Sequence, residues 1–313
     1  MANLKEMAKQ EERLTGGHRA CAGCGIPIIV RQIMHSIKDP VVVGCATGCL
    51  EVVTTIYPYT AWKVPFLHDA FENAAATVSG IESAYRALKK KGRISEEIKF
   101  VAFGGDGGTY DIGLQSLSGA MERGHDMLYV CYNNEAYMNT NVQRSSATPF
   151  GASTTTAPSG KVKQGKEQFK KNLTEIMVAH EIPYVAQAAV GNWMDLTKKI
   201  EKAMSIKGPK YMGVLQPCQL GWGYPMENTV EIGKLAVDTC VWPLYEVENG
   251  KYKMTYKPKE KKPVIEWLKS QARFKHLLKP GNEKLIEQIQ ANVDKHWNDL
   301  LIKCEVTLQT AGN

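Results

Sequence analysis

Two polar motifs, each at the end of an apolar run, constrain the fold of this chain most. Residues 98–103 are a strand-like run that leads into GGDGG at 104–108, which carries Asp106. Residues 127–132 form a second such run, which leads into Asn133 and Asn134. Asn134 follows Asp106 by 28 residues, enough for one crossover helix at about residues 113–123. The pattern predicts a βαβ unit with both motifs at the carboxyl ends of parallel strands, where ligands of open α/β sheets bind.

A carboxylate and an amide brought together there would suit magnesium. Mg²⁺ prefers hard oxygen ligands and takes few of them from protein, so Asp106, the Asn134 side chain and one nearby backbone carbonyl would be sufficient. The glycines around Asp106 allow backbone N–H groups to approach phosphate oxygens, and the following helix adds its positive end. A plain turn is the alternative interpretation of Gly-Gly-Asp-Gly. The pairing of the two motifs favours a magnesium-diphosphate site and resembles the GDG…NN fingerprint of thiamine-diphosphate proteins.

The chain contains eight cysteines, and several are spaced as metal ligands would be. Cys21 and Cys24 form a CxxC pair, Cys45 and Cys49 follow after a short strand, and Cys218 stands next to a proline. Four thiolates can hold an iron-sulfur cluster or zinc, and the irregular spacing favours the cluster. The remaining cysteines lie in apolar or amphipathic runs and are expected to be structural: Cys131, Cys240 and Cys304.

Five segments of the sequence closely resemble the beta subunit of pyruvate:ferredoxin oxidoreductases and their relatives. They are GHRACAGCG at 17–25, ATGCLEVVTT at 46–55, AFENAAA at 70–76, GGDGG at 104–108 and NEAYMNT at 134–140. The resemblance extends over about residues 17–224. It implies an α/β thiamine-diphosphate-binding fold of the diphosphate type, with a parallel sheet flanked by helices and a C-terminal hairpin and helical extension.

The resemblance also implies which residues hold the cofactors. Four cysteines match the ligands of a 4Fe-4S cluster beside the thiamine and leave Cys45 as a spare: Cys21, Cys24, Cys49 and Cys218. Three groups match the Mg²⁺ ligands: Asp106, the Asn134 side chain and the carbonyl of Ala136. The positions that match cofactor-binding residues are Cys49, Gly105, Asp106, Gly107, Gly108, Asn134, Glu135, Ala136, Tyr137, Met138 and Asn139. Asn139 is predicted to be catalytic, as an amide that faces the substrate.

The function implied is that of a beta subunit that oxidatively decarboxylates a small 2-oxo acid, releases CO₂ and passes electrons through the cluster to ferredoxin. Asn133 and Asn141 depart from the Asp-Asn-Glu and Asn-Thr-Gly typical of the pyruvate enzymes, so oxalate is considered beside pyruvate. Coenzyme A use stays open. Two alternatives are a non-oxidative thiamine-dependent decarboxylase or synthase, and a zinc-binding scaffold with a degenerate thiamine fold.

The glutamate that activates the aminopyrimidine in thiamine enzymes has no evident counterpart here, since Glu51 and Glu72 are not assigned that role. We therefore predict an obligate complex in which alpha-, gamma- or delta-type subunits supply the glutamate and further substrate contacts. A net charge of +7 is compatible with an acidic electron carrier such as ferredoxin. No nucleic-acid motif accompanies the lysines, which are expected to be solvated.

The chain divides into a cofactor domain over residues 1–240 and an extension over residues 241–313 that is expected to contact other subunits. Residues 1–13 are charged and lack the apolar core of a secretory signal, and no run is long enough to span a membrane, so a cytoplasmic protein is expected. Residues 145–165 are predicted to be a long loop, either a rigid cover over the cofactor or simply exposed. Asn249 and Gly250 predict a hairpin, and two helices are expected on either side of Pro280.

Overall fold

A single mixed sheet forms the centre of the computed structural model, which describes residues 4–311. Within that range its strands are β1 (Val41–Ala46), β2 (Phe66–Asp69), β3 (Lys99–Gly105), β4 (Leu128–Asn133), β5 (Tyr184–Ala189), β6 (Lys210–Leu215), β7 (Leu244–Glu248) and β8 (Lys251–Tyr256). Their order is β2-β1-β3-β4-β6-β5-β7-β8. The first six in that order pair in parallel, and β7 and β8 are antiparallel. The parallel α/β fold predicted from the sequence is confirmed.

Helices cover both faces of the sheet, as the wholly buried strands β4, β5 and β6 require. They are α1 (Leu4–Met7), α2 (Ile26–His35), α3 (Cys49–Thr54), α4 (Ala74–Lys90), α5 (Leu114–Glu122), α6 (Leu173–Val178), α7 (Trp193–Ser205), α8 (Gln219–Trp222), α9 (Thr229–Asp238), α10 (Val264–Lys269) and α11 (Glu283–Ala311). A π-helical segment spans Gly107–Ile112, and 3₁₀ helices span Met226–Asn228 and Ala272–Leu278. No helix among the described residues is long and apolar enough to cross a membrane.

Four neighbouring strands deliver the residues singled out above to one edge of the sheet. Cys49 follows β1, Asp106 follows β3, Asn134 follows β4 and Cys218 follows β6. These strands are adjacent in the order β1-β3-β4-β6. Because they run parallel, their carboxyl ends meet at the same edge, which explains how residues so far apart in sequence come together.

The C-terminal part continues the same sheet. Strands β7 and β8 are joined at Asn249 and Gly250, whose φ angles of 47° and 76° suit the two-residue hairpin that the sequence predicted. Helix α11 packs against β8. The first of the two helices expected around Pro280 is instead the short α10 followed by a 3₁₀ helix. The domain boundary at residue 240 stays a prediction.

The segment between β4 and α6 contains neither helix nor strand and is the long loop predicted over residues 145–165. Its first part is a cover, since Ser145, Ala147 and Thr148 are at most 1% exposed. Its tip is exposed, as Val162 at 93% shows. One expectation was wrong: Lys166 is 2% exposed and donates a hydrogen bond to the Thr148 carbonyl at 2.5 Å, so it anchors the cover rather than lying in solvent.

Candidate cofactor site

Three oxygen atoms converge at the carboxyl ends of β3 and β4. The side-chain oxygen of Asn134 lies 2.8 Å from the carbonyl oxygen of Ala136 and 2.9 Å from Oδ1 of Asp106, and it faces no donor. All three residues are at most 4% exposed. Buried acceptors that face one another repel unless a cation lies between them or the amide is reversed. Ligands about 2.1 Å from an octahedral Mg²⁺ would be separated by about 3 Å, so this group fits the ion.

The surroundings of Asp106 hold its carboxyl group in place. Its Oδ1 accepts a hydrogen bond from the backbone N–H of Asn134 at 3.2 Å, and its Oδ2 accepts one from the hydroxyl of Ser145 at 2.5 Å. Burial raises the pKa of Asp106 to about 7, although both hydrogen bonds act to lower it. A carboxylate whose charge is disfavoured by burial gains the most from a nearby cation.

The glycines after β3 are required by close contacts. A Cβ on Gly107 would overlap the ring of Tyr137, and one on Gly108 would lie 2.6 Å from the carbonyl oxygen of Phe71. Such packing brings the backbone of the π-helical segment against its neighbours, directly after the carboxyl end of β3. This local structure suits a diphosphate cradle.

A small pocket joins these groups. The predicted residues that line it are Cys49, Gly105, Asp106, Gly107, Gly108, Asn134, Ala136, Tyr137, Met138 and Asn139. Its other lining residues lie in segments that the sequence analysis quoted but were not assigned a role, and they are Thr47, Gly48, Phe71, Tyr132 and Thr140. Asn139 is exposed at its rim, where it could meet a substrate. Thr47 bonds the half-exposed His68 at 2.8 Å, and His68 lies 3.5 Å from Glu51.

The side chain of Glu135 lies outside the pocket, although the sequence analysis grouped Glu135 with the cofactor-binding residues. It is absent from the pocket wall, is 0% exposed, and is bonded at 2.6 Å to the guanidinium of Arg273. Two of its backbone contacts hold the loop, because its N–H donates to Asn133 at 2.9 Å and its carbonyl accepts from the hydroxyl of Thr148 at 2.6 Å. The side chain of Glu135 therefore supports the loop of Asn134 and Ala136 from behind, and its assignment as a cofactor-binding residue stays a prediction.

The two asparagines that suggested oxalate also lie outside the pocket wall. Asn133 is buried and donates to the hydroxyl of Tyr110 at 3.1 Å. Asn141 has a φ of 90°, in the left-handed region that favours glycine, and is followed by Val142 at 58°. The pocket lining therefore gives oxalate no support from these two positions, and the choice between oxalate and pyruvate stays a prediction.

The four predicted cluster ligands lie together beside this pocket. The thiol of Cys49 is electrostatically coupled to Cys218, Cys24 and Cys21, and also to Asp106. Burial raises the pKa values of Cys24 and Cys49 to about 12, and their mutual repulsion adds to the shift. Both thiols are thus protonated at neutral pH, and a metal that bound them would have to displace the protons.

Hydrogen bonds fix the CxxC loop against the segment that carries Cys218. The Gln219 side chain donates to the carbonyl of Ala22, and the Thr229 hydroxyl donates to the carbonyl of Gly23, both at 2.6 Å. Cys45 is fully buried on β1 and is coupled to Glu51 and Asp69 rather than to the four thiols. The interactions of Cys49 include the other three predicted ligands but not Cys45. The three cysteines expected to be structural are also buried.

Comparison with known proteins agrees with this geometry. The family model described as "Thiamine pyrophosphate enzyme, C-terminal TPP binding domain" matches residues 43–214. The chain is 55% identical to pyruvate synthase subunit PorB of Thermotoga maritima, with 97% of each chain covered. It is 55% identical to PorB of Methanocaldococcus jannaschii, covering 91% of this chain and 95% of that one.

Two further relatives widen the comparison. Ketoisovalerate oxidoreductase subunit VorB of Pyrococcus abyssi is 44% identical, with 95% of this chain and 94% of that one covered. Among solved structures, a 2-oxoglutarate:ferredoxin oxidoreductase from Magnetococcus marinus aligns over 66% of each chain, with a TM-score of 0.55 and 23% identity, which supports the fold alone. The chain therefore belongs to the beta subunits of the thiamine-dependent 2-oxoacid:ferredoxin oxidoreductases, the family that includes pyruvate synthase.

Proposed function

We propose that this chain is the beta subunit of a pyruvate:ferredoxin oxidoreductase, that it holds Mg²⁺ and thiamine diphosphate in the pocket, and that it holds a 4Fe-4S cluster on its four thiols. The observation that carries the proposal is the position of Cys49, which lines the pocket and also belongs to the thiol quartet. The proposed oxidation of the 2-oxo acid releases two electrons, which must leave one at a time. It therefore needs a one-electron acceptor directly beside the pocket.

Asp106, Asn134 and Ala136 would bind the metal, and the backbone around Gly107 would bind the diphosphate. When bound, thiamine diphosphate supplies the nucleophilic carbon and the electron sink for decarboxylation. The chain's own contribution is to fix the diphosphate end and to exclude water by burial. Asn139, at the rim, would donate its amide N–H to the substrate.

Cys21, Cys24, Cys49 and Cys218 would hold the cluster, which would supply one-electron acceptance. Among the described residues, no three Cys, His, Asp or Glu side chains are close enough to hold a single metal ion. The irregular spacing of the four cysteines along the chain favours a cluster over zinc.

The pocket needs a second subunit. Among the described residues that line it there is no glutamate, and Asn139 and Thr140 leave its rim open. We infer that partner subunits contribute the activating glutamate and the remaining substrate contacts, and that ferredoxin accepts the electrons. The names of the relatives, which are subunits, support a complex.

Pyruvate is the proposed substrate because the relatives at 55% identity are pyruvate synthase subunits. The test is an anaerobic assay of the native complex with pyruvate, oxalate and branched 2-oxo acids, which follows viologen reduction with and without coenzyme A. We expect the highest kcat/KM with pyruvate, dependent on coenzyme A. A preference for oxalate would contradict the substrate assignment.

The cofactors are tested separately on the same preparation. We expect about four iron atoms per beta subunit, no stoichiometric zinc, and a broad absorbance that dithionite bleaches. Zinc without iron would refute the cluster. Iron without bound thiamine diphosphate would refute the proposed use of the pocket.

A further inference from the structure

A buried ion pair behind the loop of Asn134 and Ala136 carries charges that the proposed function does not use. The guanidinium of Arg273, in the 3₁₀ helix Ala272–Leu278, is 2.6 Å from Oε2 of Glu135, and these side chains are 3% and 0% exposed. Nε of Arg273 donates to the side chain of Gln271 at 2.8 Å. The other carboxylate oxygen of Glu135 is 3.7 Å from Nζ of Lys170.

Arg273 is linked to both proposed sites through two residues that it contacts directly, Glu135 and Trp222. Glu135 stands between Asn134 and Ala136, two of the proposed Mg²⁺ ligands, and its φ of 64° is a left-handed conformation that needs support. The guanidinium also stacks on the ring of Trp222, 3.7 Å from its centroid.

Trp222 lies in α8, the helix that starts directly after Cys218, and its ring N–H donates to the carbonyl of Asn134 at 2.7 Å. Arg273 is close enough to Cys218 for each to affect the electrostatics of the other. One side chain thus contacts the metal-binding loop and the helix that begins after a cluster ligand.

We propose that Arg273 is a positioning residue that couples the thiamine site to the cluster, holding the loop of Asn134 and Ala136 through Glu135 while its charge stabilises the reduced cluster. Arginine remains protonated even when buried, so its charge is permanent. Reduction adds one negative charge to a cluster, and a nearby buried cation favours that state because the local dielectric constant is low. The inference depends on the proposed cluster.

The test is an EPR-monitored redox titration of the assembled complex. In Arg273→Gln, we expect the one-electron reduction equilibrium of this cluster to become about tenfold less favourable, or about 59 mV more negative. In Glu135→Gln, the arginine loses its counter-charge, and we expect a shift in the opposite direction. A purely structural role would not produce shifts of opposite sign.

A second measurement separates charge from geometry. Arg273→Lys keeps the positive charge but removes the planar guanidinium, which donates hydrogen bonds to both Glu135 and Gln271. We expect a reduction equilibrium within about threefold of wild type and a thiamine diphosphate Kd at least tenfold higher by equilibrium dialysis. The matched control is Lys199→Gln, which removes a buried cation 2.6 Å from Asp195 on α7. Lys199→Gln should change neither the reduction equilibrium of the cluster nor the Kd for thiamine diphosphate.

The outcomes are distinguishable. Equal potentials in wild type, Arg273→Gln and Glu135→Gln, with clusters intact, would overturn the inference and leave the proposed function standing. A wild-type complex without iron would refute the proposed function itself. If Arg273→Gln fails to assemble, Glu135→Gln and Arg273→Lys still test the role of the arginine charge. A change of cluster potential in Arg273→Lys as large as that expected for Arg273→Gln would contradict this role.

Discussion

Single residues set how close the backbone comes to the cofactor. We predict that Gly108→Ala weakens thiamine diphosphate binding at least tenfold and lowers the free energy of unfolding by about 1–3 kcal/mol. The reason is the carbonyl oxygen of Phe71, 2.6 Å from where the new methyl group would lie. Calorimetric titration and chemical denaturation measure the two effects.

The control is Gly80→Ala on the exposed face of α4, where a Cβ would have no neighbour within 4 Å. Alanine there should stabilise the helix by up to about 1 kcal/mol and leave cofactor binding unchanged. Equal losses in both variants would mean that the close contact at Gly108 is not the cause.

A pH dependence follows from Asp106. Burial raises its pKa to about 7, and a metal binds only the deprotonated form. The carboxylate fraction falls with acidification, so we predict that Mg²⁺-dependent thiamine diphosphate binding is about tenfold weaker at pH 6 than at pH 8. The measurement is fluorescence titration at a fixed Mg²⁺ concentration well below saturation, corrected for the titration of the free cofactor.

Ser145→Ala provides the matched test of this assignment. The hydroxyl of Ser145 donates to the carboxylate and lowers its pKa, so its loss should move the midpoint of the profile to higher pH. A profile that does not change with this substitution would show that another group titrates.

Local motifs were visible in the sequence, whereas supporting contacts were not. Asp106 and Asn134 were identified because each stands directly after an apolar run. Three residues that hold them in place were missed: Ser145, Trp222 and Arg273. They lie 39, 88 and 138 residues from their partners, and no local pattern marks such pairs. The buried orientation of Glu135 was missed for the same reason.

Among the elements, the cover loop depends on one buried lysine. Lys166 donates to the carbonyls of Thr148 and Ser146, at 2.5 and 3.3 Å. We predict that Lys166→Met, which leaves both acceptors without this donor, lowers the free energy of unfolding by about 2 kcal/mol. Thermal and urea denaturation would measure the loss.

Lys163→Met in the same loop is the comparison, because its side chain is 63% exposed and pairs only with Glu167. Its removal should change stability by less than about 0.5 kcal/mol. Similar effects of both substitutions would argue against an anchoring role for Lys166.

Elements with strong periodicity were predicted well. The crossover helix expected at about residues 113–123 is α5, and the hairpin at Asn249 follows from turn chemistry. Strand β2 was not predicted, because it is a four-residue edge strand with two exposed positions that give no apolar run. The burial of Lys166 was missed because composition alone does not show which lysine of the cover loop meets buried carbonyls.

For the whole molecule, the open pocket rim implies dependence on other chains. We predict that the isolated chain, reconstituted with iron, sulfide, Mg²⁺ and thiamine diphosphate, shows less than about 1% of the kcat of the complex. Anaerobic viologen reduction before and after addition of the partner subunits measures this. Turnover by the chain alone at rates near those of the complex would contradict the missing glutamate.

Because Cys49 belongs to both proposed sites, oxidative damage at one site would affect the other. In the proposed enzyme Cys49 would line the vitamin's chamber and also bind the inorganic centre, so air that destroyed the centre would also disturb the chamber. Exposure to oxygen should then release the vitamin together with the iron, and repair must restore both before activity returns.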